Sequence, residues 1–161
     1  MVIAVTGPIA SGKTTLCVAL ARELRRRSRT VVRIDTDEVY EQLEERGTTA
    51  GRAETWERAR RLACAFAAAA LDEVEFVVIE GALPADAVVV ALQTTIDTAL
   101  VRVDADPTRG VSRDPAVLRE AYASFAPDGE PGLVVDTGTT SVEDAVGLVL
   151  ERAGVEVDAR T

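Results

Sequence analysis

The chain has 161 residues, 47% of them apolar and 28% charged, with a formal charge of −9. That balance predicts one globular domain rather than a disordered chain, and an acidic protein without a long basic run is poorly suited to duplex DNA or an anionic membrane. Two cysteines, Cys17 and Cys64, and no histidine exclude a disulfide scaffold, an ordinary zinc set and histidine-based nucleophilic catalysis.

Residues 2–6 are a short apolar run ending in turn residues, which predicts a buried strand. They lead straight into a glycine loop, so no signal peptide is expected. No stretch approaches the roughly 20 apolar residues of a membrane span, and a cytoplasmic location is expected. Residues 7–12 form the loop. Residues 13–27 read as a helix with Leu16, Leu20 and Leu24 on one face and Arg25–Arg27 near its C-terminus, where cations suit the helix dipole. A second strand is predicted at 30–34 and a helix at 36–46, with Val39, Tyr40 and Leu43 at helical spacing. After a polar break at 47–51, residues 53–71 form a long alanine-rich helix, with Trp56, Leu62, Phe66 and Leu71 as its expected inner face. Residues 76–79 are the third strand and 132–135 the last. Residues 141–152 are the last helix, with Ser141 as N-cap, and 154–161 a loose tail.

Residues 81–104 admit two readings. Either 87–94 is the fourth strand and 96–104 a helix, or 84–95 is a crossover helix and 98–103 the strand. The β-branched run Val88–Val90 favours the first, and the usual length of a parallel crossover favours the second. In both, strands alternate with helices, which implies an α/β fold: a five-stranded parallel sheet covered by helices on both faces.

Gly7-Pro8-Ile9-Ala10-Ser11-Gly12-Lys13-Thr14 fits G-x-x-x-x-G-K-[ST] at every fixed position. Glycines permit a tight loop whose N–H groups turn onto phosphate oxygens, and the following helix adds its dipole. Gly7, Ala10, Ser11, Gly12, Lys13, Thr14 and Thr15 are the expected nucleotide contacts. Lys13 supplies a charge to the β- and γ-phosphates, and Thr14 a hydroxyl to Mg²⁺. Lys13 is also the only lysine; the other 17 basic residues are arginine.

Acids follow the second and third strands, at the carboxyl edge where such sheets bind ligands. Asp35 and Asp37 are expected beside the γ-phosphate. A carboxylate there can take up or orient the acceptor's proton, or hold Mg²⁺ through water. Asp35 is the first candidate for base and metal, and Asp37 for acceptor binding; Glu38 reads as a helix cap. Glu80, after Phe76–Ile79, has the strand-end placement of a Walker-B acid on the substrate side. Arg102, Arg109 and Arg113 are candidates for stabilising the transferring phosphoryl group. Tyr40 and Trp56 are expected in the core.

On these residues the chain resembles the small P-loop kinases of the nucleoside-monophosphate-kinase superfamily. The likeness is to the group that includes chloramphenicol phosphotransferase, adenylylsulfate, gluconate and shikimate kinases and zeta-toxin kinases. Ile34-Asp35-Thr36-Asp37 is similar to that group's acidic segment after the second strand. Ala99-Leu100-Val101-Arg102-Val103, followed by Asp106-Pro107-Thr108-Arg109-Gly110-Val111-Ser112-Arg113-Asp114-Pro115, resembles its helix and arginine-bearing lid. Leu133-Val134-Val135-Asp136-Thr137 resembles its last strand and base-bordering loop.

The resemblance implies strand order 2-3-1-4-5, one domain over 1–153 with a lid around 105–125, and the first reading of 81–104. It places Arg102 over adenine and Arg109 and Arg113 near the phosphates. The group's helix between strands three and four has no counterpart in 81–86. The expected activity is ATP- and Mg²⁺-dependent phosphoryl transfer to a hydroxyl on a small molecule, the acid cluster disfavouring a strongly anionic acceptor. The alternatives are a nucleoside or nucleotide kinase, which stays open because Arg46 and Arg52 can offset the acids, and a non-catalytic nucleotide switch or toxin-like regulator. Neither nucleic acid nor membrane is an expected partner, and the oligomeric state is open.

Overall fold

The computed structural model describes residues 1–43, 52–106, 114–125 and 130–155. Five parallel strands, β1 (Val2–Thr6), β2 (Val31–Asp35), β3 (Phe76–Glu80), β4 (Val88–Gln93) and β5 (Leu133–Asp136), lie in the order β2-β3-β1-β4-β5. β1 and β3 occupy the middle and are almost wholly buried, which is why they read as unbroken apolar runs. Register sets Val5 beside Glu80, and Glu80 beside Asp35. The first strand therefore delivers the phosphate loop at the same edge as both acids.

The helices are α1 (Lys13–Arg26), α2 (Thr36–Leu43), α3 (Arg52–Ala70), α4 (Ile96–Asp104), α5 (Pro115–Ser124) and α6 (Val142–Arg152). On one face, α1 contributes Leu16, Leu20 and Leu24 and α6 contributes Val146, Val149 and Leu150 to a cluster with Ile3, Val5, Val78 and Val90. On the other, α3 packs over Val2, Ala4, Val77 and Ile79. A smaller cluster joins Ala10 of the loop to Ala99 and Val103 of α4 and Leu118 of α5. Ser141 caps α6 as expected, accepting the Asp144 N–H at 3.1 Å and donating to its carboxylate at 2.7 Å.

Between β3 and β4 the first of the two readings holds. Val88 lies level with Ile3 and Glu80 level with Val5, so the chain steps back only two residues along the sheet while crossing β1. That crossing is about 10 Å wide, and residues 81–87 can span it in an extended path without a helix. The inner face of α3 differs from expectation. Its buried residues are Ala59, Ala63 and Ala67, spaced by four, whereas Phe66 is 54% exposed and Leu71 is also exposed. A stripe of methyl groups lets the helix backbone lie close to the sheet, and the larger side chains are displaced to its flanks. α5 was not anticipated. It starts with Asp114 as N-cap, accepting the Ala116 N–H at 2.8 Å, and Pro115 in the first turn.

The methyl stripe can be checked by unfolding in urea. Ala63→Leu is expected to cost about 1–3 kcal/mol by overpacking, and Phe66→Ser within about 0.5 kcal/mol of nothing. The opposite ranking would mean that α3 buries its other face.

Candidate active site

The phosphate loop leaves β1 through Gly7, at φ +153, where an added Cβ would sit 2.9 Å from the Leu92 carbonyl oxygen. Only glycine fits that approach of backbone to backbone. The loop enters α1 through Gly12 at φ +96, which caps the helix with no side-chain hydrogen bond. No acid lies in the first turn of α1. The helix N-terminus therefore keeps its N–H groups and partial positive charge for an outside anion.

A loop that turns N–H groups inward must send carbonyls outward, and these find donors. Lys13 Nζ donates to Gly7 O at 3.1 Å and Pro8 O at 3.2 Å. Tyr122 of α5 donates to Ile9 O at 3.0 Å. Arg102 of α4 donates to Ala10 O at 3.2 Å, and Thr137, after β5, to Ser11 O at 2.8 Å. Arg102 also holds the Thr137 hydroxyl (3.0 Å) and carbonyl (2.6 Å).

Glu80 is nearly fully buried at the end of β3. Thr14 Oγ1 donates to its Oε1 at 2.8 Å, while Oε2 is buried with no hydrogen-bond partner among the described residues. Burial first, and the charge of Asp35 next, raise the Glu80 carboxyl above its ordinary value. Thr36, buried at the start of α2, donates to the Glu80 carbonyl.

Asp35 is taken up by its own neighbourhood. Its Oδ2 pairs with Arg33 at 3.1 Å and its Oδ1 accepts the Asp37 N–H at 3.0 Å, which anchors the start of α2. Arg33 reaches Glu38 at 3.2 Å and approaches Glu80 Oε2 at 4.0 Å, so one guanidinium serves three carboxylates. Arg33 shares a strand face with Asp35, and that two-residue spacing was the signal available for finding it. Cys17, buried behind this cluster, has its thiol pushed up by burial and then by Glu80; it stays protonated and is no nucleophile.

A cavity of about 330 Å³ is lined by Ala10, Gly12, Lys13, Thr14, Thr15, Asp37, Trp56 and Glu80. An adjoining one of about 420 Å³ shares Lys13 and Asp37 and adds Arg60, Gly81 and Phe125. On the far side of the loop, about 380 Å³ is enclosed by Gly12, Thr15, Arg102, Thr137 and Thr140. A larger groove of about 780 Å³ between α1 and α6 lacks Lys13, Asp37 and Glu80 and is no rival for the chemistry. Of the expected residues, Lys13, Thr14, Asp37 and Glu80 thus come together, and Arg102 stands beside the loop. Ser11 is buried within the loop, and its hydroxyl has no hydrogen-bond partner among the described residues. Arg109 and Arg113 lie outside the described residues, as do Arg46 and the polar break at 47–51. Trp56, expected in the core, is half-buried and lines the crevice with Tyr40 stacked on it, ring centroids 4.2 Å apart. Arg60 and Tyr122 were not singled out. Arg60 is one exposed arginine among several on α3, and nothing local marks Tyr122 as a partner of a loop 113 residues away.

A parallel sheet of this order, with a lysine-bearing phosphate loop after its central strand, defines the class of P-loop kinases, nucleotide-dependent phosphotransferases. The family model for adenylylsulphate kinase matches residues 1–124, and the chain belongs to that family. Among solved structures it is similar to shikimate kinase from Bacteroides thetaiotaomicron, at 18% identity over 96% of this chain and 98% of that one, TM-score 0.67. It is also similar to the Mycobacterium tuberculosis APS kinase in complex with AMPPNP and APS, at 17% identity, 95% and 96% coverage and TM-score 0.63. A third likeness is to the tunicamycin resistance protein of Deinococcus radiodurans, at 13% identity, 96% coverage of both chains and TM-score 0.66. At these identities the structures attest the fold. No curated protein matches the chain. No helix among the described residues is long and apolar enough to cross a membrane.

The raised Glu80 carboxyl has a thermodynamic consequence. A folded-state pKa above the unfolded one contributes stability that is fully present at low pH and is lost as pH rises through the folded value. In metal-free protein, Glu80→Gln is therefore expected to melt higher than the parent at about pH 8. The gap should close as pH falls toward the ordinary glutamate value of about 4.3. A gap that does not change across a pH series of melting curves would contradict this account.

Proposed function

We propose that the chain transfers the γ-phosphate of ATP, with Mg²⁺, to a hydroxyl group of a small molecule. The observation that carries this reading is the convergence of Lys13, Thr14, Asp37 and Glu80 on one cavity at the carboxyl edge of the sheet. Lys13 and the α1 N-terminus attract the phosphates, and the Lys13 ammonium, held on the loop by the Gly7 and Pro8 carbonyls, offsets charge on the transferring group. Asp37 faces the same cavity, so we assign it the orientation of the acceptor hydroxyl and uptake of its proton. Asp35, the first candidate for that role from sequence, we assign to holding α2 and Asp37 in place through Arg33 and the Asp37 N–H. The resemblance supports Arg109 and Arg113 as cations for the transferring group. The cavity beside Arg102, Thr137 and Thr140 suits the base.

The oxygen pair of Thr14 and Glu80 fits Mg²⁺, a hard cation. Glu80 Oε2 is buried with no hydrogen-bond partner, and no group of three or more potential ligands forms among the described residues. That suits an ion held by one or two protein oxygens and by substrate phosphates. When bound, the ion offsets the negative charge of those phosphates.

One observation favours a second reading of the acceptor. Arg33 takes up Asp35 and Glu38, while Arg60 lines the cavity that holds Lys13 and Asp37. The acid cluster is therefore a weaker barrier to an anionic acceptor than composition suggests, and a nucleotide-like acceptor such as adenylylsulphate belongs in the test.

Formation of ADP, measured with a panel of neutral hydroxyl compounds, nucleosides and adenylylsulphate, tests the reading. Acceptor-dependent turnover is expected, and none with any acceptor would count against it. Lys13→Ala is expected to abolish that turnover. Asp37→Asn should lower kcat by about 10²–10⁴-fold, the usual worth of general-base help, with KM for ATP little changed. Asp35→Asn should lower kcat by less than about tenfold, as expected for loss of one partly exposed pair. The reverse order would return the base to Asp35.

A further inference from the structure

Residues 8–11 of the phosphate loop form a four-residue turn, closed by the Ser11 N–H donating to Pro8 O at 3.2 Å. Its third residue, Ala10, has φ +60, and Ile9 does not share a positive φ. This is the type II pattern, whose third position ordinarily belongs to glycine. With a Cβ, Ala10 is strained there. The strain is relieved if the Ile9–Ala10 peptide turns over by about half a rotation, which gives the type I turn with negative φ at Ala10.

Two observations oppose that flip. Ala10 is buried against Ala99, Val103 and Leu118. The carbonyl of the peptide that would rotate, Ile9 O, accepts the Tyr122 hydroxyl at 3.0 Å. A trans peptide is planar, with C=O and N–H pointing opposite ways. Holding Ile9 O toward α5 therefore turns the Ala10 N–H away from α5.

We propose that Tyr122 is a positioning residue for nucleotide binding, whose hydroxyl holds the strained Ile9–Ala10 peptide so that the Ala10 N–H points into the phosphate loop as a donor to phosphate. The proposal rests on the nucleotide-dependent phosphotransferase reading and adds a residue that the motif does not contain. Arg102 and Thr137 grip the next two carbonyls, but neither touches the peptide on which the strain falls.

The test is a double-mutant cycle read by calorimetric titration with Mg·ADP, which needs no acceptor. Tyr122→Phe removes the hydroxyl and keeps the ring. It is expected to weaken ADP binding by about 3–10-fold, the worth of one hydrogen bond, without a comparable loss in melting temperature. In an Ala10→Gly background the same change should cost less than about twofold, because glycine adopts positive φ without strain and has no reason to flip. A residue that only supported the packing would cost the same factor in both backgrounds, and that result overturns the proposal. So does ADP affinity in Tyr122→Phe equal to the parent's. As an independent readout at saturating ADP, the Ala10 amide proton resonance should move farther in the parent than in Tyr122→Phe; equal movement in both refutes the assignment. A parent chain that binds no ADP would instead overturn the phosphotransferase reading itself, and the proposal with it.

Discussion

The structure is organised by a problem of hydrogen-bond direction. To collect N–H groups around an anion, the loop between β1 and α1 must push its carbonyls the other way, toward the protein. Each carbonyl from Gly7 to Ser11 then needs a donor. Lys13 supplies two of these donors from within the motif, and the others come from α4, α5 and the segment after β5, so three parts of the chain distant in sequence contribute to the shape of eight residues. This explains why α4 and α5 gather into their own small cluster with Ala10 rather than joining either face of the sheet. Their packing carries Arg102 and Tyr122 to the outside of the loop.

A second constraint is charge. Asp35 and Glu80 are lateral neighbours in register at the edge where an anionic substrate arrives. Two carboxylates so placed, one of them buried, repel each other and the substrate. Arg33 addresses this from within β2. It pairs with Asp35, reaches Glu38 and approaches Glu80 without lining either of the two cavities that hold Lys13 and Asp37. The cluster that reads as strongly acidic along the chain is therefore partly neutralised in space, and Asp37 lines the same cavities as Lys13.

What could be read from the chain and what could not follows from the range of each interaction. The strand–loop–helix unit was legible because its signals are local: an apolar run, two glycines with required backbone angles and a lysine at fixed spacing. β4 was legible from its β-branched run once the acid- and arginine-bearing segments on either side were recognised. The buried face of α3 was not, since Trp56, Leu62, Phe66 and Leu71 make the more hydrophobic stripe and only contact with the sheet selects Ala59, Ala63 and Ala67. Asp35 and Asp37 were legible as a pair, but what distinguishes them is a partner on the adjoining strand face. Arg60 and Tyr122 depend on neighbours far away in sequence, and no local pattern sets them apart.

Trp56 has a practical meaning beyond its packing. It is the sole tryptophan of the chain, stacked on Tyr40 and lining the cavity that holds Lys13, Thr14 and Asp37. All indole emission from this protein therefore originates at one wall of the site. The native chain carries its own optical reporter there, and any compound that enters beside Asp37 and alters the polarity around that ring registers in the emission without a label or an engineered probe.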